Sequence, residues 1–199
     1  MTIATHGPFE TTVAVQTRTV LHVGCGAPDP AKLPAAFFPA GAWAEMRLDI
    51  DPDVRPDIIA SITEMPMVPN GAVDAVWSSH NLEHLASHEV PIALAEFFRV
   101  LAPGGFVLVT MPDLQQVAAL IAEGRLEEAA YLSAMGPIAP LDMLYGYRPA
   151  LAAGNAFMGH RTGFVAATLQ AHLERAGFQG VRVQRDGHFA LWGSGVKAV

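Results

Sequence analysis

The sequence predicts a single α/β domain, with a mostly parallel sheet and an antiparallel hairpin at its C-terminal edge. Three observations carry this. Five short β-like runs lie between residues 19 and 110, an amphipathic helix separates the fourth from the fifth, and two further runs close the chain after a late helix. Strands alternating with helices imply parallel pairing through crossovers, whereas two runs joined by a short turn imply antiparallel pairing.

The first run, 19–23 (TVLHV), is apolar on both alternating faces and stops at Gly24, as expected of a strand covered on both sides. Runs at 46–50, 57–60 and 73–77 follow, and the fifth, 106–110, comes directly after Pro103-Gly104-Gly105. Between the fourth and fifth, Leu94, Phe97, Phe98 and Leu101 fall at i, i+3, i+4 and i+7, one apolar stripe of a helix. Ser87 is the expected N-cap of that helix and Pro103-Gly104 its stop. A later helix over 165–176 carries Leu169, Leu173 and Ala176 on one face and ends at Gly177; the closing runs are 181–184 and 189–192. The crossovers after the first two strands are expected to be reduced. Pro28, Pro30, Pro34 and Pro39 crowd the segment between Gly26 and Met46, and residues 51–58 leave no room for an ordinary helix.

Composition bounds the function. The chain has 199 residues, 51% hydrophobic and 16% charged, a balance that buries a core. No run of about eighteen uncharged apolar residues suggests a membrane span, and the opening MTIATHGPFE does not read as a secretory signal. The single cysteine, Cys25, fits a reducing, cytoplasmic location. A net charge of −7, with twelve scattered Lys and Arg, argues against a nucleic-acid partner and for a small-molecule or, as second choice, a protein substrate.

The chemistry concentrates after the first strand. Gly24-Cys25-Gly26 is a glycine turn that lets backbone approach a ligand with no Cβ in the way. Asp49, twenty-three residues beyond Gly26, ends the second strand, where a carboxylate can accept hydrogen bonds from ribose hydroxyls. A dinucleotide fingerprint would place its third glycine at position 29, which is Asp29, and a carboxylate there repels a pyrophosphate.

Taken together, four ordered segments resemble the class I S-adenosylmethionine-dependent methyltransferases of the small type-11-like subgroup. Val20-Leu21-His22-Val23-Gly24-Cys25-Gly26 is similar to their first motif and Leu48-Asp49-Ile50-Asp51-Pro52 to their second. The stretch from Val73 through Ser79-His80-Asn81-Leu82-Glu83-His84-Leu85 resembles their fourth-strand segment, and Arg99-Val100-Leu101-Ala102-Pro103-Gly104-Gly105 the stop before the fifth strand. The resemblance spans about residues 19–113. It implies a Rossmann-like three-layer sandwich on a seven-stranded sheet and S-adenosylmethionine as cofactor. It also implies cofactor contacts at Gly24, Cys25, Gly26, Asp49, Ile50, Ser61, Ile62, Ser79 and His80. Asp49 would hold the ribose, with Asp51 as the weaker competitor, and Cys25 would be a small packed residue rather than a nucleophile. Ser61 stands where many members carry an adenine-binding aspartate, Ile62 would offer its N–H to the ring, and Pro28 replaces a customary small residue.

Further residues have competing readings. His80, Glu83 and His84 match H-x-x-E-H, with His88 four residues on; on a continuous helix the pattern would hold zinc and make a zinc hydrolase the alternative. The preferred reading puts Ser79 and His80 in the wall of the cofactor pocket and assigns no metal. A catalytically silent cofactor-binding or assembly protein is the other alternative. His160, in the Gly/His/Arg-rich loop 157–164, is a candidate general base together with His80; the plainer reading of that loop is a helix entry with Thr162 as cap and Arg161 solvated. Residues 137–164 read as a lid or acceptor-site insertion, and 141–164 as a candidate homodimer surface.

Overall fold

The computed structural model describes residues 17–199. In chain order the elements are β1 (Arg18–Val23), β2 (Trp43–Asp49), β3 (Ile58–Ile59), β4 (Val73–Ser79), α1 (Val90–Val100) and β5 (Leu101–Pro112). These are followed by α2 (Leu114–Ala122), β6 (Tyr131–Ser133), β7 (Gly136–Ile138), α3 (Pro140–Tyr145), α4 (Arg148–Ala152), α5 (Ala166–Arg175), β8 (Gln179–Arg185) and β9 (Ala190–Val196). Seven strands form one sheet in the order β3-β2-β1-β4-β5-β9-β8. β1 to β5 are parallel, and β9 runs antiparallel to both β5 and β8. The expected Rossmann-like sheet with an antiparallel edge hairpin is therefore present, and β6 and β7 pair separately as a small hairpin.

Alternation along the strands sorts side chains between two faces. Leu21, Val76, Val107 and Val109 point into the larger core, against Leu94 and Phe97 of α1 and Leu169 and Leu173 of α5. Their neighbours Val20, Ala75, Trp77 and Leu108 point the other way, onto Phe38 with Trp43, Phe106 and Trp192 around it. This second face is built around tryptophan and phenylalanine rings: Trp77 stacks on Trp192 at 5.6 Å and Phe38 on Phe106 at 5.8 Å.

The reduced crossovers are confirmed, and a third joins them. β1 connects to β2 through a single 3₁₀ turn, Pro30–Lys32, and β2 to β3 through another, Pro52–Val54. The segment from β3 to β4 has no helix either. It is pinned instead by Arg99 of α1, whose guanidinium donates to the carbonyls of Met65 at 2.9 Å and Val68 at 2.8 Å, while Glu96 accepts the Met65 N–H.

Three local expectations are corrected. Ser87 does not cap α1; the cap position is Glu89, whose carboxylate turns back to the Ala86 N–H at 2.7 Å because Pro91 already occupies the first turn. Pro103-Gly104-Gly105 is not the helix stop. The helix ends at Val100, and the three residues form an irregularity inside β5, where the ladder skips from Val73↔Leu101 to Ala75↔Phe106. Thr162 does not cap the late helix; Thr168 Oγ1 accepts the Val165 N–H at 3.0 Å instead.

Candidate functional site

Strand order reverses between β1 and β4, the place in an open parallel sheet where a crevice opens beyond the strand ends. The glycine turn lies there. Gly24 has φ +63°, and a Cβ on it would stand 2.6 Å from the Asn81 side chain, which reaches across from the end of β4. Glycine is thus required at position 24 twice over, by backbone conformation and by space. Gly26 also has positive φ, +58°.

Charged side chains hold this turn where a helix would ordinarily follow. Asp49 Oδ2 accepts the Gly26 N–H at 2.8 Å, and Oδ1 accepts the Asp51 N–H at 3.0 Å. Lys32 Nζ donates to the carbonyls of Cys25 and Ala27 at 2.9 and 2.8 Å. From the other side the Arg47 guanidinium donates to Gly26 O, to Val54 O at 3.1 Å and to Arg55 O at 2.8 Å, so it ties the glycine turn to the next crossover. Hydrogen bonds to charged groups contribute about 1.5–3 kcal/mol each. Asp51 caps the Pro52–Val54 turn through the Asp53 N–H, which makes it primarily a turn residue.

A cavity of about 400 Å³ opens above the turn. Of the residues singled out in the sequence, Gly24, Gly26, Asp49, Ile50, Ser61, Ile62 and His80 line it, and Asp51 does as well. Cys25 and Ser79 do not; they line a smaller neighbouring cavity with His22 and Lys32. Burial pushes the Cys25 thiol above its ordinary pKa, which disfavours the thiolate a nucleophile needs. Ser61 Oγ is 2.7 Å from Thr63 Oγ1 at the cavity edge. His84 lines the larger cavity as well, and Asn155–Gly159 and Arg161, within the segment 137–164 read as a lid or acceptor-site insertion, complete it; Val54, Ala60 and Glu89 are the lining residues the sequence did not single out. Arg161 is exposed, as read from the sequence, and also pairs with Glu89 at 3.3 Å.

His80 follows β4 with φ +47°, a left-handed conformation uncommon outside glycine. Its N–H donates to Thr110 O at 2.8 Å, so strand pairing holds it there. The segment after it is a 3₁₀ turn, Leu82–His84, not an α-helix, so the helical H-x-x-E-H face required by the zinc-hydrolase alternative does not form. Instead His80 Nδ1 stands 3.3 Å from Oε1 of the fully buried Glu83. Partial desolvation lowers the pKa of His80, but the neighbouring Glu83 carboxylate outweighs it and the net direction is up. For Glu83, burial raises the carboxyl pKa, while His80, His84 and His160 pull it down and prevail.

His160 is not in the cavity wall. It packs edge-on against His84 at 4.9 Å between ring centres, and its Nδ1 lies 2.9 Å from Met143 O. Burial lowers its pKa, against the raising influence of Glu83.

Residues 21–109 match the profile of a methyltransferase-domain family. The fold matches an S-adenosylmethionine-dependent methyltransferase of Archaeoglobus fulgidus at 15% identity, covering 92% of this chain and 87% of that one, with a TM-score of 0.57. It matches 1,6-didemethyltoxoflavin N1-methyltransferase of Burkholderia thailandensis, solved with its substrate and S-adenosylhomocysteine, at 16% identity, 92% and 72% coverage and a TM-score of 0.57. A protein of Pyrococcus horikoshii matches at 12% identity, 93% and 84% coverage and a TM-score of 0.62. Likeness at these identities concerns the fold. Among curated proteins none matches by sequence.

Proposed function

We propose that this chain, whose residues 21–109 match a methyltransferase-domain family, is an S-adenosylmethionine-dependent methyltransferase acting on a small-molecule acceptor. The observation that carries this reading is the cradle at the β1–β4 switch point. Gly24 is kept bare against Asn81, and the Asp49 carboxylate lies beside it at the mouth of a cavity of ligand size. An aspartate there suits ribose hydroxyls and a cationic donor far better than a pyrophosphate.

The residues present fit the cofactor. Asp49 uses one lone pair on each oxygen for the Gly26 and Asp51 N–H groups and keeps others for ribose hydroxyls. Ile50 and Ile62 supply apolar contact for an adenine ring, with Ser61 and the Ile62 N–H at its polar edge. Gly24 and Gly26 receive the amino-acid end, and Cys25 and Ser79 support the turn from beneath. When bound, the cofactor supplies a methyl group activated by a sulfonium. The protein's part is then chiefly orientation, which holding reactants in register supplies.

His80 is the proton acceptor for an oxygen or nitrogen nucleophile. It lines the cavity, and Glu83 orients its ring from behind. His160 is a positioning residue in this reading, because it touches His84 and not the cavity. Residues 137–164 act as the acceptor-side wall of one domain spanning 1–199, of which 1–16 lie outside the described residues. Their exposed Tyr145 and Phe157 make this segment the candidate homodimer surface. Among the described residues no helix is long and apolar enough to cross a membrane, and the free Cys25 suits the cytoplasm.

Thermal unfolding with S-adenosylhomocysteine, NAD and zinc, followed by calorimetry, tests the reading. S-adenosylhomocysteine should stabilise the protein, NAD should not, and Asp49→Ala should weaken S-adenosylhomocysteine binding at least tenfold. Indifference of the wild-type protein to S-adenosylhomocysteine overturns the proposal. Binding without transfer to any acceptor in a panel would identify a silent cofactor-binding protein.

A further inference from the structure

Against the Asn155–Gly159 wall, and reaching the cavity through His84, lies a cluster that methyl transfer leaves without a full explanation. Glu83 is 1% exposed, and neither of its carboxylate oxygens has a hydrogen-bond partner. One ligating atom each of Glu83, His84 and His160 lies within 4.8 Å of the others. A buried carboxylate is tolerated when it is paired with positive charge or bound to a metal. The 3.3 Å approach of His80 answers for one oxygen at most.

The two imidazoles are prepared in different ways. His160 donates Nδ1–H to Met143 O at 2.9 Å, which fixes the ring and leaves the Nε2 lone pair free, the arrangement typical of a ligating histidine. His84 faces two carbonyl oxygens, Gly159 O at 3.2 Å from Nδ1 and His80 O at 3.1 Å from Nε2. A ring that keeps one of these bonds through a single N–H has its other nitrogen available to a cation.

We propose that Glu83, His84 and His160 bind one divalent transition-metal ion of the zinc, cobalt or ferrous type. Two imidazoles and a carboxylate suit these ions, whereas calcium and magnesium prefer an all-oxygen set. Donor atoms around a tetrahedral ion at about 2.1 Å stand roughly 3.4 Å apart, so side-chain rotations on the order of 1 Å close the site. Its role is to fix the wall. The Arg161 and Thr162 N–H groups donate to Glu83 O at 2.8 and 3.1 Å, and an ion on Glu83 and His160 would clamp this segment to the turn after β4 through side chains as well. The site shares Glu83 with the methyl-transfer reading, in which that carboxylate orients His80, but does not require that reading to hold; it does not revive the hydrolase pattern, since His80 is not a ligand.

The test uses the full chain stripped with chelator and then titrated with zinc or cobalt alone. Expected are one equivalent of tightly held metal, a rise of at least 5 °C in unfolding midpoint, and intense visible absorption from cobalt in a low-symmetry N/O site. Glu83→Gln and His160→Asn should each weaken binding at least tenfold, and His80→Asn, which removes a neighbour of Glu83 but no ligand, should change metal affinity by less than threefold. If Glu83→Gln fails to fold, His160→Asn and the wild-type cobalt spectrum decide the matter. Metal below a tenth of an equivalent with no midpoint shift for zinc, cobalt, manganese or ferrous ion overturns the proposal, as does wild-type affinity in His160→Asn. An S-adenosylhomocysteine titration of the same stripped protein reports separately on the cofactor reading.

Discussion

The two halves of the sheet are held together by different means. From β4 onward the parallel and edge strands are covered by α1 and α5, whose buried Leu94, Phe97, Leu169 and Leu173 close the larger apolar core. From β1 to β4 there are three crossovers and no α-helix, and Lys32, Arg47 and Arg99 take over by donating to loop carbonyls. A crossover helix satisfies its own backbone and brings an apolar face. A cation satisfies carbonyls with a few directed bonds and very little buried surface. Stability in the second half should therefore be spread over area, and in the first half concentrated in single residues.

The largest effect should come from the helical half. Phe97→Ala removes a fully buried ring from α1 and should cost about 3–5 kcal/mol in denaturant unfolding, with little change in S-adenosylhomocysteine affinity per folded molecule. Arg47→Met should cost less, about 2–3 kcal/mol, because three carbonyls lose a charged donor. Unlike the first variant it should also weaken S-adenosylhomocysteine binding severalfold in calorimetry, since the glycine turn is no longer tied to the Val54 loop. Equal effects of both variants on binding would erase the distinction between halves.

The third prediction concerns an ion-paired region inside the second half. Asp142 accepts the Ala139 N–H at 2.9 Å and the Arg148 Nε–H at 2.8 Å. Burial raises its pKa, but Arg148 and the two backbone donors prevail and the net direction is down. A depressed carboxyl contributes stability above its unfolded value of 3.8, and that contribution disappears as pH falls through the lower folded value. Asp142→Asn should therefore lose roughly 1–2 kcal/mol at neutral pH and become less sensitive than wild type to unfolding below about pH 4. The smallest effect is expected for Lys32→Met, about 1 kcal/mol. Its Nζ holds only two carbonyls, one of them exposed.

Much of this was legible in the chain, for reasons that can be named. The central strands β1, β4 and β5, buried on both faces, read as continuous apolar runs, and the other four sheet strands were legible as shorter β-like runs. Gly24, Gly26 and Asp49 were found because their spacing follows from the length of one strand and one crossover. The staples were not, since a lysine or arginine in a polar, proline-rich stretch looks the same whether it is solvated or bonded to backbone. Helix α2 had a usable signal that went unread: Asp113 as cap, then Val117 and Leu120 buried one turn apart. The meeting of His160 with Glu83 and His84 had none. Its partners lie more than seventy residues upstream, and only the return of the chain along the cavity brings them together.

All three tryptophans of the chain, Trp43, Trp77 and Trp192, lie on the aromatic face with Phe38 and Phe106. None lies in the larger apolar core with α1 and α5. Trp77 donates its indole N–H to Lys32 O at 2.9 Å, next to the residue that holds the glycine turn. Intrinsic fluorescence is thus a reporter with a fixed field of view. It will register loosening of the turn-bearing side, and the stacked Trp77–Trp192 pair should add an exciton couplet in circular dichroism that vanishes when that side opens. Unfolding followed by emission and by helical ellipticity monitors the two faces separately, without any label.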